Sequence, residues 1–141
     1  MMSIVGRGLV PAVLGASRVM AASAAGATPS RLTCAPAEIF QCESVAECVR
    51  VTAETANLPF FFTADLAGKS IHGKRPDGSL LKTAIERQVR QEDTLVLQGV
   101  EAGRGWSISV DLESGRAAIG VVSPEVGFMV AGACLVEQVG P

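Results

Sequence analysis

From Phe60 onwards the chain alternates apolar and polar residues with a period of two. Phe60, Phe62, Ala64 and Leu66 fall on one side of an extended segment, with Phe61, Thr63 and Asp65 on the other. This predicts a strand with its apolar face inward, closed by a turn over 65–68. Residues 73–79 form a polar loop around Pro76-Asp77-Gly78, where Pro presets φ and Gly supplies a positive φ. Segment 80–91 fits two periods. Leu81, Ile85 and Val89 are spaced for a helix, yet 81, 83, 85, 87 and 89 also alternate with their neighbours as a strand would. The strand is favoured because strands flank it on both sides.

The C-terminal third repeats the signal. A strand is expected over 94–100, then a turn at Gly103-Arg104-Gly105. Trp106, Ile108, Val110 and Leu112 alternate with Ser107, Ser109 and Asp111, and Gly115 suits a left-handed position in the following hairpin turn. Further strands follow over 117–122 and 126–136, separated by a turn at 123–125. The expected fold class is therefore mainly β: an antiparallel meander of six to eight strands, closing into a small barrel or sandwich that hides its edges. Residues 28–57 show little alternation and read as an irregular, Cys-rich lead-in with one short strand at 49–52, ahead of a meander over 58–137.

The first 27 residues have a different composition. Arg7 is followed by an uncharged stretch from Gly8 to Ser17, and then by small residues with Ala-x-Ala registers ending at Ala24 and Ala27. These are the parts of a secretory signal, with cleavage after Ala27 preferred because Pro29 follows; Arg18 interrupts the apolar run. The run is too short to span a bilayer, which takes about 20 residues. The expected product is one exported domain over 28–141, periplasmic or secreted, monomeric and without a membrane span. Loss of Arg7 and Arg18 leaves ten basic residues against fourteen acidic ones, a net charge of −4. That balance argues against a nucleic-acid partner, which needs a concentrated basic face.

Cys34, Cys42, Cys48 and Cys134 all follow the proposed cleavage site. Their spacing lacks the close pairs of a zinc framework, and the chain has a single histidine, so two disulfides are expected and no metal. Three pairings are possible. Cys42–Cys48 as a local loop and Cys34–Cys134 as a tie between the ends is the favoured one.

Candidate chemistry is sparse. His72 stands beside a basic loop with no nucleophile motif near it, and Glu92-Asp93 lie at a turn. The glycines of 99–105 lack the Lys-Ser/Thr ending of a phosphate loop, and a β-turn explains them. No catalytic residue and no cofactor are expected. The most distinctive stretch is Leu95–Ser107, where Arg104 and Trp106 belong to residue types enriched at contact surfaces. The structural alternative is a core Trp106 with Arg104 on its face or paired with Glu101. Lys74 and Arg75, in a loop expected over 69–75, complete the candidate contact surface.

The Cys-rich start, Leu-Val-Leu-Gln-Gly at 95–99, Gly-Arg-Gly-Trp-Ser at 103–107 and Gly-Phe-Met-Val-Ala-Gly-Ala-Cys at 127–134 resemble a group of small exported bacterial proteins of unknown function. In architecture alone, a small disulfide-tied periplasmic β-barrel is similar to the C-type lysozyme inhibitor family. The chain departs from that family in having no tyrosine and no match to its inhibitory loop. The expected function is an exported, non-catalytic binding domain with a protein partner in the cell envelope. Inhibition of an envelope-acting enzyme such as lysozyme, or binding of a small apolar ligand inside a β-barrel, are the alternatives.

Overall fold

The computed structural model describes residues 29–44 and 46–138, together with Gly8, Pro11, Ala12, Gly15 and Ala16. The remainder of the segment read as an export signal lies outside the described residues. The architecture is mainly β and antiparallel. Ten strands form one sheet: β1 (Arg31–Ser44), β2 (Glu47–Val51), β3 (Phe62–Asp65), β4 (Ser70–Lys74), β5 (Leu80–Ala84), β6 (Arg87–Gln91), β7 (Thr94–Glu101), β8 (Arg104–Asp111), β9 (Arg116–Val122) and β10 (Gly127–Glu137). One four-residue helix, α1 (Ala53–Ala56), follows β2. The strands are ordered β5-β4-β3-β1-β10-β9-β8-β7-β6, with β2 paired on β1.

The alternation at 106–112 and 94–100 produces β8 and β7 directly. Leu95, Leu97, Ile108 and Val110 are buried on one face, while Ser109 and Gln98 face out. The hairpin between them has a two-residue loop, Ala102-Gly103, with φ of +48° and +76°. Two left-handed residues make this a type I′ turn, whose twist matches the flanking strands. Gly115 takes φ +78° in the next hairpin.

The lead-in is not irregular. Its larger part is β1, the longest strand, which lies between β10 and β3 at the centre of the order. Leu32 and Cys34 are buried, then the register slips between Pro36 and Glu38, and the next buried residue is Ile39. The bulge moves the inward phase from even to odd positions and hides the alternation from a period-two reading. It also accommodates Pro36, which has no N–H to give a ladder. The short strand expected at 49–52 is β2, ending at Val51. Thr52 instead caps α1, its Oγ1 accepting a hydrogen bond from the Thr55 N–H at 3.1 Å.

Three further expectations are corrected. Residues 70–74 are not loop but strand β4, whose Ile71 is buried opposite Ala64. Phe60 precedes β3 and is exposed, so only Phe62, Ala64 and Leu66 of that set are buried. Segment 80–91 is extended but broken into β5 and β6 at Ile85-Glu86. Beyond the break the faces exchange, and Gln88 and Arg90 lie opposite buried Leu97 and Leu95 while Val89 points outward.

That break also governs the ends of the sheet. The ladder is not closed into a barrel, for β5 and β6 are its terminal strands. They are nevertheless consecutive in the chain. The Ile85 N–H bonds the Lys69 carbonyl at 2.9 Å, the Glu86 N–H bonds the Gln98 carbonyl at 2.9 Å, and Gln88 Nε2 donates to the Leu66 carbonyl at 2.9 Å. The sheet therefore curls around one core, with Leu32, Phe62, Leu97, Ile108, Phe128 and Val130 among its buried members.

The cysteines form two disulfides, Cys34–Cys134 and Cys42–Cys48, in the favoured pairing. Both link residues directly opposite in register, β1 to β10 and β1 to β2. The first lies in the core and the second on the surface.

Candidate functional site

One end of the curled sheet carries α1, the 57–61 segment, the 75–79 loop and the Ala102-Gly103 hairpin. The inner face is left open there. Period-two alternation along β8 sets Arg104, Trp106, Ile108 and Val110 on that face, with Trp106 two residues inside the hairpin. Its register partner on β7 is Gly99. A Cβ on Gly99 would collide with the Trp106 ring and would sit 2.6 Å from the Ala84 carbonyl oxygen. Glycine here lets the indole lie across β7 and lets β5 approach it.

The indole is anchored as well as packed. Trp106 Nε1 donates to Thr83 Oγ1 at 3.3 Å, and Thr83 Oγ1 donates to the Val100 carbonyl at 3.4 Å. Thr83 is the one buried polar residue among those described. Its hydroxyl serves both the indole N–H and a strand carbonyl left without a β6 partner beyond Gln98.

Around Trp106 lies a cleft of about 300 Å³. Its walls are apolar: Leu58, Pro59 and Phe62 from one side, Ile71 and Leu81 from β4 and β5, and Ile108, Ile119, Val121 and Val130 from β8 to β10. Its polar lining beyond Thr83 is Asn57, Arg75, Glu101 and Arg104. Asn57 ends α1 with φ +51°, a conformation that asparagine tolerates, and its Nδ2 donates to Asp77 Oδ2 at 3.0 Å. This bond ties the α1 segment to the 75–79 loop beside the mouth. Asp77 also accepts from the Ser79 hydroxyl at 2.6 Å and the Ser79 N–H at 2.8 Å. The Ser79 bonds, then Asn57 and the charge of Arg75, hold its carboxyl below the ordinary value.

The two arginines differ. Arg75 is half-buried, and its Nη1 donates to the Leu80 carbonyl at 3.0 Å and to Ser79 Oγ at 3.4 Å. Arg104 is exposed, and among the described residues its side chain has neither a hydrogen-bond partner nor an ion pair. No salt bridge joins it to Glu101 across the hairpin, although the two are register partners. Among the described residues the cation–π contact is elsewhere, Arg50 over Phe40 at 5.5 Å.

The residues expected to form a contact surface thus divide. Trp106 is buried in the cleft wall, Arg75, Glu101 and Arg104 line the cleft, and Lys74 is exposed at the end of β4 outside it. That Arg75 and Arg104 share a cavity follows from the curl of the sheet, which local spacing does not encode. Asn57, Leu58 and Thr83 were missed for the same reason.

Other candidates are weaker. His72 is on strand β4, not in a loop, and its Nε2 lies 2.7 Å from Ser70 Oγ. The pair sits on a solvent-facing part of the strand, outside the cleft. A second, more open hollow of about 500 Å³ includes Glu86, Arg87, Gln98 and Val122, and its lack of enclosure makes it a poorer ligand site. Among the described residues no cluster of three or more His, Cys, Asp or Glu is placed to hold a metal ion, and no helix is long and apolar enough to cross a membrane. No family model, curated protein or solved structure matches the chain.

Proposed function

We propose that this chain is an exported, non-catalytic binding domain that takes a small apolar molecule into the cleft beside Trp106. The observation that carries the reading is the cleft itself: an apolar hollow opening from the core, with a few polar groups gathered at its mouth, as in small-molecule sites generally. The disulfides are compatible with an oxidising compartment and support the export reading. At about 30 Å³ per heavy atom, the volume suits on the order of ten non-hydrogen atoms. Burying a methylene stabilises a complex by about 0.8 kcal/mol, and immobilising the ligand offsets part of that. Dissociation constants of roughly micromolar to millimolar are expected.

Trp106 is the sole tryptophan, so the site carries its own reporter. Titration with the neutral probe 1-naphthylamine, whose size is close to that of the cleft, should change Trp106 emission saturably, with energy transfer to the probe. Val121→Phe, which adds bulk to the cleft wall beside Trp106 on the neighbouring strand, should weaken probe binding at least about tenfold while the unfolding transition stays cooperative. No saturable change with the unaltered protein would sink the reading.

A second reading, contact with a protein partner, is favoured by the exposure of Phe61 and Leu80 (66% and 75%) at this end of the sheet. Its test is capture of an envelope protein that is lost with a Phe61→Ser, Leu80→Ser double variant.

A further inference from the structure

We infer that the ligand is an amphipathic anion, a medium-chain monocarboxylate whose tail enters the cleft and whose head group meets Arg104. This rests on the ligand-binding reading above and adds to it the chemical class of the ligand. The tail's place is set by the apolar walls, which end below the hairpin. The head's place is set by charge. Of the charged residues lining the cleft, Arg75 and Arg104 are cationic and Glu101 alone is anionic.

The arginines are not equivalent. Arg75 already spends Nη1 on the Leu80 carbonyl and Ser79 Oγ, and Asp77 lies near enough to feel its charge. Arg104 has no such commitments. It lies on the inner face two residues from Trp106, at the first paired position of β8 after the Ala102-Gly103 loop. Its guanidinium offers a fork of donors matched to a carboxylate, and such charge-assisted bonds are the strong ones. Glu101, opposite it, repels an anion but has no ion pair with Arg104 in the structure, so it leaves that fork unoccupied. A cationic head would meet two arginines against one carboxylate.

Octanoate has the size the cleft suits, and octanol and octylamine share its chain while changing the head. Each is titrated against the bound naphthyl probe, with Trp106 emission as the readout. Octanoate should bind about tenfold more tightly than octanol, with octylamine weakest, as expected for one charge-assisted pair. Arg104→Gln should remove that advantage by weakening octanoate far more than octanol, and Glu101→Gln should strengthen octanoate binding. Arg104 is exposed, so its replacement leaves the fold intact, and an unchanged cooperative unfolding transition of the variant checks this directly. Equal binding by all three ligands, or a preference for octanoate that survives Arg104→Gln, overturns the head-group assignment and leaves the cleft reading standing. Probe displacement by none of them removes both.

Discussion

At the residue scale the cleft depends on one glycine and one threonine. Gly99 is where β7 must admit both the Trp106 ring and the Ala84 carbonyl. Gly99→Ala should therefore destabilise the protein by about 1–3 kcal/mol, the usual cost of overpacking, and displace the indole. Urea unfolding followed by Trp106 emission measures both effects at once. Thr83→Val keeps the shape but removes the hydroxyl that accepts from Trp106 Nε1. Leaving a buried donor without a partner costs about 1–3 kcal/mol, and the length of this bond places the loss near about 1. Ala102 acts in the opposite direction. It holds a left-handed φ that costs alanine about 1 kcal/mol and asparagine less, so Ala102→Asn should raise stability by about 0.5 kcal/mol. The same change should leave probe binding unaltered, because Ala102 does not line the cleft.

At the element scale the strands that kept strict alternation were legible and the interrupted ones were not. β7, β8 and β9 each run without a bulge, so the period-two pattern of Trp106 to Leu112 maps directly onto buried and exposed faces. β1 fails that test because the slip at Pro36/Glu38 splits its apolar residues between two phases. Segment 80–91 fails at Ile85-Glu86, where the chain leaves the β4 ladder for the β7 ladder and its faces exchange. Trp106 and its hairpin stood out by composition, whereas the pairing of Arg75 with Arg104 around one cavity depends on curl, which no local pattern encodes. The turns that frame these elements also make acid sensitivity predictable. Bonds from Ser79 and Asn57 depress the Asp77 carboxyl, and bonds from Glu113 and Ser114 depress Asp111, both from an ordinary value of 3.8. Each carboxylate is bonded more favourably in the folded chain than in the unfolded one. Its contribution is complete above the unfolded value and is lost as pH falls through the lower folded value. Melting temperature should thus fall as pH drops from about 5 to about 2, in the range where carboxylates titrate. An Asp77→Asn, Asp111→Asn double variant should show a shallower fall, measured by calorimetry across that range.

At the scale of the whole molecule the two disulfides hold very different amounts of chain. Cys34–Cys134 joins residues 100 apart and ties β1 to β10 at the middle of the strand order, whereas Cys42–Cys48 closes a separation of 6 beside the β1–β2 hairpin. In the chain-entropy account the long loop is worth about 4.7 kcal/mol and the short one about 2.4. The Cys34, Cys134 pair is also buried in the core cluster, while Cys48 is exposed. Thermodynamics and access therefore point the same way: mild reductant should open Cys42–Cys48 first, with a small loss of stability and no loss of the cleft. The Cys42→Ser, Cys48→Ser variant should retain probe binding beside Trp106, since neither cysteine lines the cleft. The Cys34→Ser, Cys134→Ser variant should lower the melting temperature by clearly more than the other pair. It should also place two hydroxyls against the core cluster, adding the cost of buried polar groups to the lost cross-link. Comparing it with Cys34→Ala, Cys134→Ala separates these two contributions: the alanine pair reports the cross-link and the small cavity, and the serine pair adds desolvation. If both variants matched the Cys42→Ser, Cys48→Ser protein in stability, the long tie would have no special role. The fold would then rest on the ladder and core alone.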